Sequence, residues 1–113
     1  MPLVRIASTQ DIPPDQCRLF FVGEKAVVIA HQGGRFFAVD GVCPHKGFEL
    51  EGATLWDGVI ECPWHHYQYD LRTGQNRVPS DIYPRALAER IEPIRTYPVE
   101  VRESEIWLDL EPG

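Results

Sequence analysis

Cys43-Pro44-His45-Lys46-Gly47 and Cys62-Pro63-Trp64-His65-His66 are the two stretches around which the rest of the chain is organised, with sixteen residues, 46 to 61, between His45 and Cys62. Each places a cysteine and a histidine inside one turn-sized segment, with proline directly after the cysteine. Proline fixes φ and carries no N–H, so it stiffens a loop without adding a backbone donor. Sixteen residues suffice for a hairpin that leaves the first loop and returns to it. Residues 35–39 and 59–61 read as strands ending shortly before each cysteine. Two loops at one end of a sheet can then converge, bringing two thiols and two imidazoles together. That donor set suits one tetrahedral metal ion or the outer positions of a two-iron cluster.

Outward from these loops the chain reads as short strands punctuated by turns. Strands are expected over 4–7, 17–22, 26–31, 53–56, 67–71, 97–102 and 105–110, besides the two already given. Gly33-Gly34 and Asp57-Gly58 mark hairpins, because their turn type needs positive φ. Residues 11–15, Gly23-Glu24-Lys25, Thr73-Gly74 and Glu103-Ser104 are further turns. Ile106, Leu108 and Leu110 share a face of the last strand, and Val99 and Val101 point one way in its partner. Trp56 and Trp107 read as core anchors. Residues 85–91 fit a short helix with Pro84 at its first turn, and equally a proline-pinned surface loop; the pattern leaves both open. The class is all-β, an antiparallel sandwich or barrel, in one domain of 113 residues.

A hydrophobic fraction of 43% and a charged fraction of 25% are ordinary for a globular domain. The net charge of −6 disfavours nucleic acid and anionic lipid and favours a basic protein partner. The longest apolar run, Ala26-Val27-Val28-Ile29-Ala30, is strand-sized and far short of the ~20 residues that cross a bilayer. The first residues lack the layout of a signal peptide, so a cytoplasmic location is expected. Three cysteines do not suggest a disulfide framework. Cys17 has no partner motif and reads as a small core or surface thiol, and His31 as a surface or half-buried histidine. The mixed charges of 89–92 and 100–105 read as solvated faces.

The pattern Cys-x-His, sixteen residues, Cys-x-x-His resembles the Rieske family, and more closely its soluble Rieske-type ferredoxins. The resemblance extends over nearly the whole chain. It includes Tyr67-Gln68-Tyr69-Asp70-Leu71-Arg72-Thr73-Gly74 and Tyr97-Pro98-Val99-Glu100-Val101. It implies a Rieske iron–sulfur fold, with a β-sandwich base and a small cluster-binding subdomain at about 41–74 within a single domain, 1–113. It implies one [2Fe–2S] cluster with Cys43 and Cys62 on one iron and His45 and His65 on the other. Neutral imidazole donates less negative charge than thiolate, so such a cluster is easier to reduce than an all-Cys one. The resemblance selects His65 over its neighbour His66. It also implies that the Tyr69 hydroxyl reaches a ligand cysteine sulfur. Gly47 lets backbone approach the cluster, and Pro63 stiffens the second loop. Phe48, Trp64 and Leu50 shield the cluster or form a docking surface.

Departures from the family pattern set further expectations. Phe48 and Trp64 stand where respiratory members carry a disulfide, and Tyr67 where they carry a serine donating to a cluster sulfide. Each missing hydrogen bond to a charged acceptor is worth roughly 1.5–3 kcal/mol. The potential is therefore expected low in the Rieske range, toward about −150 mV. The resemblance implies a monomeric electron carrier, not itself an enzyme, taking single electrons from a flavin-dependent reductase to a terminal oxygenase of a bacterial multicomponent system. The chain has no room for a mononuclear iron site or a nucleotide-binding domain. Two alternatives stand beside it: the small Rieske subunit of an NADH-dependent nitrite reductase, and a module in which the same four residues hold structural zinc. The zinc reading fits poorly, since such sites mostly pair Cys with Cys and His with His. The stretch from Asn76 to Arg95 is longer than a typical ferredoxin of this kind leads one to expect.

Overall fold

The run Ala26-Val27-Val28-Ile29-Ala30 lies in β3 (Lys25–Gln32) and is buried throughout, although a strand alternates its side chains between two faces. Both faces of its sheet must therefore be covered. The computed structural model, which describes residues 3–42, 50, 53–63, 67–78 and 93–110, shows how.

β3 sits inside a central sheet ordered β2 (Gln16–Val22), β3, β4 (Arg35–Asp40) and β9 (Thr96–Tyr97). Val27, Ile29, Ala38 and Tyr97 pack on Ala7, Ile12, Ile106 and Leu108. This joins the central sheet to an outer sheet ordered β1 (Val4–Ser8), β11 (Glu105–Leu108) and β10 (Val99–Arg102). On the opposite face, Val28, Ala30 and Val39 pack on Ile60, Tyr69 and Leu71, together with Leu50, Cys62 and Ile94. Here the partner is a third sheet ordered β5 (Thr54–Trp56), β6 (Val59–Glu61), β7 (Gln68–Asp70) and β8 (Asn76–Val78). Every strand pairing described is antiparallel. The all-β expectation holds.

The two expected hairpins form with positive φ at both turn residues: 62° and 74° at Gly33 and Gly34, 45° and 77° at Asp57 and Gly58. Their tips are latched together, because the Gly58 N–H donates to Gln32 Oε1. A one-turn 3-10 helix, Thr9–Asp11, opens the stretch expected to turn, with the Ser8 N–H donating to the Asp11 carboxylate at 2.9 Å.

Several expectations need correction. Residues 97–102 are not one strand. Pro98, which has no N–H, interrupts them as the chain passes from the central sheet to the outer one. The last strand ends at Leu108, and Leu110 packs on the core from beyond it. β8 has no alternating signature and was not anticipated. The tryptophans do not anchor the core. Trp56 is 36% exposed, and Trp107 alternates with Ile106 and Leu108, so it lies half-buried on the other face of β11, beneath the Arg102 guanidinium. Val99 packs inward, but Val101, on β10 at the edge of the outer sheet among the described residues, is 48% exposed. The helix or loop at 85–91 lies outside the described residues. Among those described, no helix is long and apolar enough to cross a membrane.

Candidate metal centre

β4 ends at Asp40 and β6 at Glu61, so each expected ligand loop begins where a strand stops. The root of the first loop is tied from three directions. The Asp40 N–H donates to the Arg95 carbonyl at 2.8 Å and the Gly41 N–H to the Ala26 carbonyl at 2.8 Å. The Leu50 N–H, returning from the loop, donates to the Gly41 carbonyl at 2.9 Å. These approaches are close enough to require glycine. A Cβ on Gly41 would lie 2.7 Å from Leu19 Cδ1 and 2.8 Å from the Ala26 carbonyl carbon.

The second loop closes more simply. The Cys62 N–H donates to the Tyr67 carbonyl at 2.8 Å, extending the β6–β7 hairpin by one rung past Glu61 and Gln68. The Gln68 amide donates to the Glu61 carboxylate at 2.9 Å across that rung. Cys62 and Tyr69 are fully buried and Leu50 nearly so, and all three belong to the core between the central and third sheets. The roots of both loops are thereby seated in one apolar core.

Of the expected ligands, the structure describes Cys62; Cys43, His45 and His65 lie outside the described residues, as do Gly47, Phe48, Trp64 and His66. Pro63 follows Cys62 and is exposed. Leu50, expected to shield or dock, belongs to the buried core and has no part in a docking surface. Among the described residues no group of three or more His, Cys, Asp or Glu side chains is placed to hold a metal. A buried thiol just past the end of a strand, in an apolar seat with the root of a second Cys/His loop, fits a thiolate-bound iron–sulfur group.

Sequence reading missed the charged surround of the first root. The Tyr97 ring lies 5.3 Å from Lys25 Nζ and 5.9 Å from the Arg95 guanidinium carbon. Asp40 sits with them; burial raises its carboxyl, against the pull of Lys25 and Arg95. Burial and the Asp40 charge likewise raise the Tyr97 hydroxyl. No local signal announces this group, because its members are far apart in the chain. Gly41 was not singled out either; a glycine directly after a strand and two residues before Cys43 is the signal that could have found it.

Cys17 and His31 take structural roles. The Cys17 thiol donates to the Ala53 carbonyl at 3.5 Å, and burial pushes it up to about 11. The His31 ring stacks on Phe36 with centroids 4.2 Å apart, and its Nδ1 lies 2.9 Å from the Ile12 carbonyl.

A family profile described as the Rieske [2Fe-2S] domain matches residues 3–97. The ferredoxin component of biphenyl 2,3-dioxygenase from Rhodococcus jostii is 31% identical over 113 residues, covering 100% of this chain and 97% of that protein. The ferredoxin component of the alkene monooxygenase system of Xanthobacter autotrophicus is 29% identical over 110 residues, covering 96% and 82%. A solved chain from a complex of reduced oxygenase and oxidised ferredoxin in carbazole 1,9a-dioxygenase superposes with a TM-score of 0.80 at 25% identity, over 98% of this chain and 95% of that one.

Proposed function

The chain belongs to the Rieske [2Fe–2S] family, and from that membership we propose that it carries single electrons from a flavin-dependent reductase to a terminal oxygenase. It holds one [2Fe–2S] cluster and is an electron-transfer component, not an enzyme. Membership decides against the zinc reading, and relatives that are ferredoxin components of oxygenase systems favour a free carrier over a nitrite reductase subunit. The observation that carries the site assignment is the shared seat: Cys62 and the root of the first loop lie in one core.

The ligands in this reading are Cys43 and Cys62 for one iron, His45 and His65 for the other, within a subdomain at about 41–74. Bound there, the cluster supplies one-electron chemistry near the low end of the Rieske range. The chain's own residues hold it and keep water from it. The buried position of Cys62 keeps its sulfur in apolar surroundings, where a thiolate is stable only when a metal shares its charge. Tyr69, buried in the same core, is the donor assigned to a ligand sulfur. The protein acts as a monomer in the cytoplasm.

Protein purified without oxygen should be red-brown, contain two irons and two sulfides per chain, and be reduced by NADH through a flavin reductase. A colourless chain holding one zinc, or an iron protein that no flavin reductase reduces, would overturn the reading. A redox titration near +300 mV, about the top of the Rieske range, would reject the low potential.

A further inference from the structure

We propose that Phe21, with Val42 and Glu24 beside it, is the docking surface for the electron-accepting protein, whose matching face is apolar and ringed by lysine or arginine. The proposal rests on the electron-carrier reading and adds where the acceptor sits. Phe21 is 63% exposed, the most exposed of the large apolar side chains described. A lone surface phenylalanine is unremarkable, but this one borders a shallow cleft of about 450 Å³ lined also by Glu24, Lys25, Ala26, Asp40 and Val42.

The register places that cleft. Phe21 pairs with Ala26 and alternates with Phe20, so it shares the sheet face of Leu19, which packs into the core that seats both ligand loops. Ala26 is the residue whose carbonyl holds Gly41, and Val42 is the last described residue before Cys43. The patch is thus continuous with the root of the first ligand loop. A larger cleft, bordered by Gln32, Trp56 and Gly58, lies at the opposite ends of β4 and β6.

Charge gives the partner's character. Lys25 lines the cleft, but its Nζ turns toward the other face of the sheet, donating to the Leu110 carbonyl at 3.3 Å and lying over Tyr97. Asp40, paired with Val27, also faces that side, where Lys25 and Arg95 balance it. Among the described residues, exposed Glu24 is the charge left unbalanced beside Phe21, on a chain of net charge −6. An aromatic centre with an acidic rim suits a basic partner: the rim speeds encounter and the ring holds the complex.

The test uses reduced holoprotein and oxidised cytochrome c, a basic haem protein whose exposed haem edge is apolar and ringed by lysines. One electron leaves the protein for each ferric haem made ferrous, and stopped-flow absorbance gives the second-order rate constant at low salt. Phe21→Ser should lower it about tenfold and Glu24→Lys about threefold, the latter fading in 0.5 M salt, on the order expected for a lost anchor and a lost rim charge. Val101→Ser, on the outer sheet, should stay within about twofold of the parent. Cluster spectrum and midpoint potential should match the parent in all three. An unchanged rate in Phe21→Ser, or an equal loss in Val101→Ser, overturns the proposal. If the parent itself, with its cluster intact, fails to reduce cytochrome c, it is the carrier reading that falls.

Discussion

The two ligand-bearing loops are rooted in different ways. The second closes inside a hairpin, with Cys62 and Tyr67 forming one more rung on a ladder already set by β6 and β7. The first is held by Arg95, Ala26 and Leu50, from three separate parts of the chain, around a glycine with no room for a side chain. One root depends on strand register, the other on tertiary packing. A metal centre built across both is only as well placed as the core that joins them.

The largest test of this contrast removes a ligand that is also a root residue. Cys62→Ala should lose nearly all iron and colour, read as irons per chain falling from two toward none. A variant that keeps its full cluster would exclude Cys62 as a ligand. Next, Gly41→Ala forces a Cβ against Leu19 and Ala26 and should cost about 1–3 kcal/mol, seen as a lower melting temperature. Gln68→Ala removes one hydrogen bond from the second root and should cost no more than about 1 kcal/mol. Equal losses would erase the distinction between the roots.

Cys17 tests the first root from another side, because it bonds Ala53, whose own N–H donates to the Leu50 carbonyl at 3.1 Å. The thiol titrates at about 11 in the fold against 9.0 in its ordinary state. Between those values the folded chain binds the extra proton, so stability is full below pH 9 and falls as pH rises toward 11. Allowing for partial solvent screening, the loss is ~1–2 kcal/mol. Denaturant midpoints of Cys17→Ala should lack that slope. A last effect is at the second root: Tyr69→Phe should keep the fold and lower the potential by about 65–130 mV, the one-electron equivalent of one hydrogen bond to a charged sulfur. An unchanged potential would remove Tyr69 from the cluster's surroundings.

Much of this was legible wherever a local rule decides. Gly33-Gly34 and Asp57-Gly58 announce hairpins because their turns demand positive φ. The run 26–30 announced a strand, though not that both its faces would be covered. The Cys/His spacing announced the centre, and the match over residues 3–97 supports it. What could not be read depends on distant partners. Leu50 reads as either shielding the cluster or forming a docking surface, and only its core neighbours exclude the docking role. The switch of sheets at Pro98 follows from which strand pairs with which. Trp107 reads as a core anchor, whereas alternation with Ile106 and Leu108 puts it half-buried on the opposite face of its strand.

The pairing of β1 with β11 carries a consequence for how the protein is made. Val4 must wait for Leu108. At about 5–20 residues per second of synthesis, that wait is roughly 5–20 s. By Val78 the ribosome has already supplied every strand of the third sheet and three of the four in the central one. The half of the protein that seats the ligand loops is thus available to collapse early. Val27 and Ile29 meanwhile stay uncovered until the last hairpin arrives.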